Sequence, residues 1–582
     1  VSLAYHDWEP ECIDPLVPEL GDTVRLFVRT KARSGQVIYL SHGELLRAPL
    51  EAAPGGLVGR VPVSAPVLRY VFFLDGRYFG AFGEEASLPR YDRFFHLLAA
   101  PGVPEWAVGR VWYQIFPDRF KNARPECSPR SGEWTYQGRP IVAKDWDAPP
   151  DPTQGALEFY GGDLWGVLDA LDHLESLGVE GVYLTPIFKS PSSHRYDTED
   201  YYAVDPHLGG DAAFEALVEG LHRRGMKLIL DGVFNHTGDR FAGFLAARTQ
   251  PNAPWREVYT FLPGGDYVAF YGVPTLPKVD YQSELAWRYF ITGPQAVVRH
   301  WIRRGADGWR LDVAHQIGER GTDRGNARVL RAIREAARGE NPDAYVFGEL
   351  SFDTVPYLRG HTLDGAMHYA GFANPLLEWL SGRDLFGHPV RLSAEEVWRI
   401  LFDHYAALPL GVRQTMYTLI GSHDIPRPLW RVRGDVERLR LLFGILLTFP
   451  GAPGIYYGDE IGLDQANAYD DWRGDPMNRG TFPWDESRWK RDVLEWVKRL
   501  VALRRQHAPL RRGGLLPLAA PRGVLAYRRR YGGREIWVMA APEPVEVRLP
   551  PARDLLLGTV LSGRHTVEGL LVIEPLEGAS DA

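Results

Sequence analysis

Between residues 106 and 503, short apolar runs alternate with segments whose apolar residues recur at helical spacing. The runs are "VWYQIF" (111–116), "GVYLTPIF" (181–188), "MKLILDGVF" (226–234), "GWRLDV" (308–313), "AYVFGEL" (344–350), "YTLIGSHD" (417–424) and "GIYYGDE" (454–460). Helix-patterned stretches separate them. "DLWGVLDALDHLESLG" (163–178) and "DAAFEALVEGLHRRG" (211–225) each close on a glycine, and 327–338 and 439–448 repeat the pattern. A strand covered on both faces reads as an unbroken apolar run, and a strand followed by a crossover helix returns parallel to itself. About eight such units over roughly 400 residues have the size of an α/β protein built on a (β/α)8 TIM barrel with insertions. A doubly wound open sheet competes, but no glycine fingerprint follows the first strand to support it. The stretch 235–285, rich in Pro, Gly and aromatics, breaks the alternation and reads as a subdomain inserted after the third strand.

The flanks differ in texture. "TVRLFVRT" (23–30) alternates, and "RYVFFLDGRYFG" (69–80) is two aromatic-rich strands around Asp75-Gly76, a hairpin signal. An N-terminal β-sandwich is expected over 1–105, with "AAPGVPEW" (99–106) as the linker to a barrel over 106–505. A C-terminal β-sandwich is expected over 506–582, with a hairpin around Gly532-Gly533 whose basic run "RRRYGG" (528–533) reads as a solvated face. A chain of 582 residues is too long for one ordinary core, which agrees with this division.

Composition excludes several classes. The net charge of -8 argues against a nucleic-acid partner, which would want a basic face. No apolar run reaches membrane-spanning length, so no membrane partner is expected. Cys12 and Cys127 make neither a disulfide framework nor a metal cluster and fit a reducing compartment. The opening "VSLAYHDWEP" shows no basic n-region and no apolar h-region, so a cytoplasmic location is expected. The 17 histidines form no HExxH spacing, which leaves no zinc site in view, and "YGGD" (160–163) lacks the phosphate-loop pattern. Aromatic content of 12% suits large cores and flat sugar-stacking surfaces equally.

In a (β/α)8 enzyme the reacting groups sit at the C-terminal ends of the strands. Four runs here end in ionisable residues. "LILDGVFNHTG" carries Asp231, Asn235 and His236, "GWRLDVAH" carries Arg310 and Asp312, "YVFGEL" ends in Glu349, and "LIGSHDIPR" carries His423 and Asp424. One strand-end aspartate is ordinarily a helix cap. Three aspartates, a glutamate, two histidines and an arginine converging on one barrel mouth call for another explanation. Two carboxylates flanking one bond are what glycoside hydrolysis needs, one to attack the anomeric carbon and one to protonate the leaving oxygen. Arg310 and Asp312 share a strand face, so the guanidinium is expected to lower the Asp312 pKa, as suits a nucleophile. Glu349 follows Val346, Phe347 and Gly348, an apolar setting expected to raise its pKa, as suits a general acid. Trp309, Leu311 and Val313 are expected to pack outward against the helices.

The stretches "DGVFNH", "GWRLDVAH", "FGEL" and "GSHDIPR" resemble, in order and spacing, the four signature regions of the α-amylase superfamily, glycoside hydrolase family thirteen. "GVEGVYLTPIF" (178–188) and "LPKVD" (276–280) extend the resemblance over about 110–503. It implies Asp312 as nucleophile, Glu349 as general acid/base and Asp424 as the third, transition-state-stabilising carboxylate. It also implies substrate contacts by Arg310, His236 and His423, by Tyr196 and Asp197 of "HRYDTEDY", and by Asp475 and Arg479 of "GDPMNR". The N-terminal β domain resembles that of the neopullulanase, cyclomaltodextrinase and maltogenic amylase group, and the stretches "HRYDTEDY", "DYQSE" and "GWRLDV.H" those of bacterial maltodextrin glucosidases. The implied substrate is a maltooligosaccharide, and the implied assembly a homodimer in which one copy's N-terminal domain closes the other's cleft. Two departures stand out. His315-Gln316 replace the Asn-Glu of cyclomaltodextrinases on the leaving-group side. The group's calcium ligands are incomplete, because "DRFKNARPEC" (118–127) offers Asn122 without a following aspartate, although Gly162-Asp163 are present. No cofactor is therefore expected. The primary expectation is a retaining maltodextrin glucosidase releasing glucose or maltose. The alternatives are a cyclomaltodextrinase, neopullulanase or maltogenic amylase, or a transglycosylase on the same site. A catalytically dead glycan-binding barrel would lack a carboxylate, and Asp312, Glu349 and Asp424 are all present.

Overall fold

In the computed structural model, which describes residues 4–320 and 322–576, parallel strands form the centre of the molecule. They are β1 (Trp112–Ile115), β2 (Gly181–Leu184), β3 (Lys227–Gly232), β4 (Gly308–Leu311), β5 (Tyr345–Gly348), β6 (Gly365–Ala366), β7 (Tyr417–Leu419) and β8 (Ala452–Tyr456). The sheet runs β6-β5-β4-β3-β2-β1-β8-β7, and one bridge, Met367 to Tyr417, spans the seam between β6 and β7. The result is a nearly closed eight-stranded TIM-like barrel. Its interior is filled with rings. Trp112 stacks on Tyr345 at 6.1 Å, Tyr345 on Phe347 at 5.3 Å, and Phe347 on Tyr417 at 5.1 Å. Glycines make the room: a Cβ on Gly454 would lie 2.0 Å from the Tyr417 ring, and one on Gly181 2.4 Å from Trp112. Much of the aromatic content is therefore core. On the outward parity of β4, Trp309 donates to the Val298 carbonyl of the surrounding helix Val297–Arg303 at 3.1 Å.

Two features of the barrel lie outside the sequence reading. Strand β6 has only two residues and no apolar run. The connection after β1 also makes an excursion of its own, with short pairings at Thr135–Tyr136 and Glu158–Phe159 around Tyr136, Ile141, Leu157 and Phe159. The insertion after β3 holds the helix Ala242–Thr249, and its Phe244 packs edge-on against Tyr259 and Tyr267.

The N-terminal domain is two antiparallel sheets, with Val24, Leu26 and Val28 of one facing Val37, Tyr70 and Phe72 of the other. Its hairpin turns on Asp75 (φ 46°) and Gly76 (φ 90°), the paired left-handed conformations that match strand twist. The C-terminal domain is one antiparallel sheet folded over, since Ala552 of the long strand Arg534–Asp554 pairs with both Leu561 and Pro575. Met539, Val547 and Val567 line its own core, while Tyr527, Val538 and Val572 join the barrel core. The basic run of its hairpin is not simply solvated. Arg529 is fully buried and donates to the carbonyls of Thr448 (2.6 Å), Leu510 (2.8 Å) and Gly513 (2.9 Å), pinning this sheet to the barrel. Residues 1–3 and 577–582, at the outer limits of the two sandwiches, lie outside the described residues. Among the described residues no helix is long and apolar enough to cross a membrane.

Buried polar groups join the domains. Asp7 accepts from Tyr405 (2.7 Å) and Arg413 (3.2 Å) of the barrel, and Glu9 accepts the Gly532 N–H (2.9 Å) of the C-terminal hairpin. Glu9 is 1% exposed, and burial pushes its carboxyl from 4.5 up to about 7, with the Gly532 N–H and Arg530 only opposing this. Its ordinary value applies in the unfolded chain, so its ionisation destabilises the fold progressively as pH rises from there through about 7. A shift of that size corresponds to about 3 kcal/mol. Glu9→Gln keeps the acceptor and removes the charge. Its apparent melting temperature should exceed the parent's at pH 8, with the gap narrowing toward pH 5; a pH-independent gap would contradict the assignment.

Candidate active site

Above the C-terminal ends of the strands lies a cavity of about 320 Å³. Of the residues expected at the site, Tyr196, His236, Asp312, Glu349, His423, Asp424, Asp475 and Arg479 all line it. Strand β4 ends at Leu311, and the chain then turns sharply. Val313 takes φ 48°, a region that a β-branched side chain rarely enters. That turn points the Val313 N–H at Glu349 Oε2, 3.0 Å away, and leaves the Val313 side chain lining the cavity instead of packing outward.

Arg310 sits beneath the floor, fully buried. One guanidinium nitrogen donates to Asp231 (2.9 Å) and to Asp312 (2.9 Å), and the other lies 3.3 Å from Glu349. It thus holds the carboxylates from below without touching the cavity. The expected electrostatics are corrected on Asp312. Burial and the negative charge of Glu349 push the Asp312 carboxyl up, and Arg310 only opposes this. The environment of Glu349 is polar, made by the Val313 N–H and the guanidinium; the apolar Val346 and Phe347 lie in β5 behind it.

His236 and His423 are neutral. Burial, with Lys278 adding to it, takes His236 down to about 3; burial, with Arg479 and Arg310 adding, takes His423 well below its ordinary value. The Tyr196 hydroxyl is 2.6 Å from His423 Nε2 and donates to Asp231 at 2.8 Å, with the two rings stacked at 5.6 Å. Asp424 is exposed, 3.4 Å from His423 and 3.6 Å from Arg479, which also pairs with Asp475 at 2.9 Å.

Besides Arg310, two further expected site residues do not line the cavity. Asp197 is fully buried and turned away from the cavity, accepting from the hydroxyls of Ser190 (2.6 Å) and Ser192. It anchors the turn that presents Tyr196. His315 stands at the rim, its Nε2 3.3 Å from the Tyr271 hydroxyl and its ring edge-on to Phe352 at 5.8 Å. Cavity residues that the sequence reading omitted include His194, Phe270 and Tyr369. His194 carries a signal, lying two residues before Tyr196 in the same motif. Phe270 sits in irregular chain, and Tyr369 in a turn after the unseen β6.

The residues at the calcium position do not fit a calcium cage. Asp163 spends its carboxylate on the N–H groups of Gly166 (2.7 Å), Arg124 (2.9 Å) and Ala123 (3.4 Å), capping the helix Leu164–Asp169. Asn122 donates its amide N–H to Ser128 at 2.9 Å, and its side-chain oxygen is one lone oxygen with no aspartate following it in its own segment. Calcium asks for about six to eight oxygens, and no cluster of three or more His, Cys, Asp or Glu placed to hold a metal occurs among the described residues.

The α-amylase catalytic-domain family matches residues 114–499. A cyclomaltodextrinase from Geobacillus thermopakistaniensis (strain MAS1) is 37% identical over 486 residues, 81% of this chain and 76% of that protein. The intracellular maltogenic amylase of Bacillus subtilis is 35% identical over 423 residues, 72% of this chain and 65% of that protein. The solved type III pullulan hydrolase from Thermococcus kodakarensis aligns with a TM-score of 0.75 at 26% identity, covering 98% of this chain and 100% of that one. On the extent of these matches and the three carboxylates at the barrel mouth, the chain belongs to the α-amylase family of glycoside hydrolases.

Proposed function

We propose that the chain is a retaining hydrolase of short α-glucans, of the cyclomaltodextrinase, neopullulanase and maltogenic amylase type. The observation that carries the chemistry is the pairing of Asp312 and Glu349 over one guanidinium, at 2.9 and 3.3 Å. Two carboxylates bound by one guanidinium stand close together, which supports the shorter, retaining spacing of about 5–5.5 Å over the wider gap of inversion. Asp312 attacks the anomeric carbon while Glu349 donates its proton to the leaving oxygen. Glu349, now a carboxylate, deprotonates the water that releases the sugar. The 2.9 Å bond from Arg310 holds the Asp312 carboxylate in place for attack. Asp424, exposed to the cavity beside Arg479, is the third carboxylate. Neutral His236 and His423 offer hydrogen bonds without adding a positive charge beside a developing oxocarbenium ion.

The substrate class rests on the relatives, whose names speak of cyclomaltodextrin, of maltose formation and of pullulan. They favour this reading over the maltodextrin glucosidase. The rim favours a second reading, in which a sugar acceptor competes with water: His315, Gln316, Tyr271 and Phe352 make a partly aromatic platform on the leaving-group side. A cytoplasmic location goes with the proposal, and the name of the Bacillus subtilis relative supports it. Timed digests of maltotriose, β-cyclodextrin and pullulan, resolved by chromatography, test specificity. Rapid opening of the cyclodextrin with maltose dominant is expected. Glucose as the early product from maltotriose, with cyclodextrin left intact, would return the maltodextrin glucosidase. Products longer than the substrate would mark transfer.

A further inference from the structure

Gln114, on the inward parity of β1, is fully buried and lines no part of the cavity. Its side-chain nitrogen lies 2.8 Å from His423 Nδ1, while its side-chain oxygen has no partner. An amide that leaves a buried oxygen unpaired forgoes a hydrogen bond it could otherwise make. The geometry points to its being held by what it donates. We propose that Gln114 is a positioning residue that fixes the direction of a hydrogen-bonded chain running under the cavity, through His423, Tyr196, Asp231 and Arg310 to Asp312.

The direction follows link by link. An N–H from Gln114 makes His423 Nδ1 an acceptor, so the imidazole proton sits on Nε2. His423 Nε2–H then donates to the Tyr196 oxygen at 2.6 Å. Tyr196, its oxygen receiving that proton, gives its own to Asp231 at 2.8 Å. Asp231 also accepts from Tyr183 (2.7 Å) and from Arg310 (2.9 Å), and the same Arg310 nitrogen bonds Asp312. Reversing the first link reverses the chain. With the proton on Nδ1, His423 Nε2 would take the Tyr196 hydroxyl, and Asp231 would lose one of its donors. Its uncompensated charge would then draw the shared Arg310 nitrogen away from Asp312. The neutrality of His423 agrees with this, since an imidazolium would have no lone pair to receive the amide.

The consequence for turnover rests on the assignment of Asp312 as nucleophile; the tautomer does not. In the full-length chain labelled with 15N-histidine, the long-range 1H–15N spectrum of His423, assigned by its absence in His423→Asn, should show a bare Nδ1 and a protonated Nε2. Gln114→Glu offers an acceptor and should move the proton to Nδ1 or charge the ring. Turnover should fall tenfold to a hundredfold, as displacement of a reacting group does, with KM changed less than about threefold. Gln114→Met, which neither donates nor accepts, should lose the single tautomer and show a smaller loss of kcat. A protonated Nδ1 in the parent protein overturns the proposal, even if neither variant folds. An unchanged tautomer and kcat in Gln114→Glu overturns it as well. Full activity in Asp312→Asn would defeat the catalytic assignment instead and leave the tautomer result standing.

Discussion

Asp312→Asn should lower kcat/KM on maltotriose by about 10⁴-fold or more, with the melting temperature held or raised. The asparagine keeps the shape and the acceptor for Arg310 but cannot form the glycosyl ester. Burial and Glu349 already push the Asp312 carboxyl up, so removing this buried anion relieves the fold of a cost. Glu349→Gln should lose a comparable factor on natural glucans, because a poor leaving group needs its proton. On an aryl α-glucoside with an acidic phenol, the first step needs little acid help, and the variant should show a burst of phenol followed by slow turnover. Asp312→Asn should show no burst. Steady-state rates on the two substrates, with stopped-flow release of the phenol, separate the roles. Near-parental activity in Asp312→Asn would remove the nucleophile assignment, and equal bursts in both variants would remove the division of labour.

What the sequence made legible follows the physics of each signal. Barrel strands buried on both faces are mostly apolar, and those with three or more residues announced themselves as runs. Gly365–Ala366 is too short to carry a pattern; its neighbours recruit its backbone, so both β6 and the following Tyr369 stayed hidden. The strand-end rule located Asp312, Glu349 and Asp424 because register alone puts them at one mouth. It did not give their electrostatics. The nearest influences on Glu349 are the N–H of Val313 and the guanidinium of Arg310, neither of them a sequence neighbour. Asp197 illustrates a different limit. Arg195 adopts φ 61°, and a chain that turns there cannot be read by alternation. For Arg529 the signal was present: strand parity separates it from Arg528 and Arg530, and its charge concealed a buried position.

Arg310→Met should abolish activity by about 10³-fold or more and also weaken the fold, with both effects depending on pH. The guanidinium is fully buried and within 3.3 Å of Asp231, Asp312 and Glu349. Removing one partner from such a set leaves buried charge uncompensated, at a cost of about 3–5 kcal/mol. The sign is fixed by the linkage. Asp231 and Asp312 are already raised by burial, with Arg310 lowering both, so methionine raises them further. An acid with a folded pKa above its unfolded value is fully tolerated below the unfolded value and costs stability as pH rises toward the folded one. The melting temperature of Arg310→Met should therefore lie near the parent's at pH 4–5 and fall progressively behind it toward pH 8. Residual activity should move the opposite way, most depressed at low pH and recovering as pH rises. Asp312 must be ionised to attack, so the acidic limb of kcat/KM should shift to higher pH. Arg310→Lys restores the charge without the planar fork and can serve fewer carboxylates at once, so it should recover more stability than turnover. A pH-independent stability loss in Arg310→Met, with an unshifted acidic limb, would mean that the arginine acts by packing alone. The shared nitrogen at 2.9 Å from both Asp231 and Asp312 argues that it acts by charge.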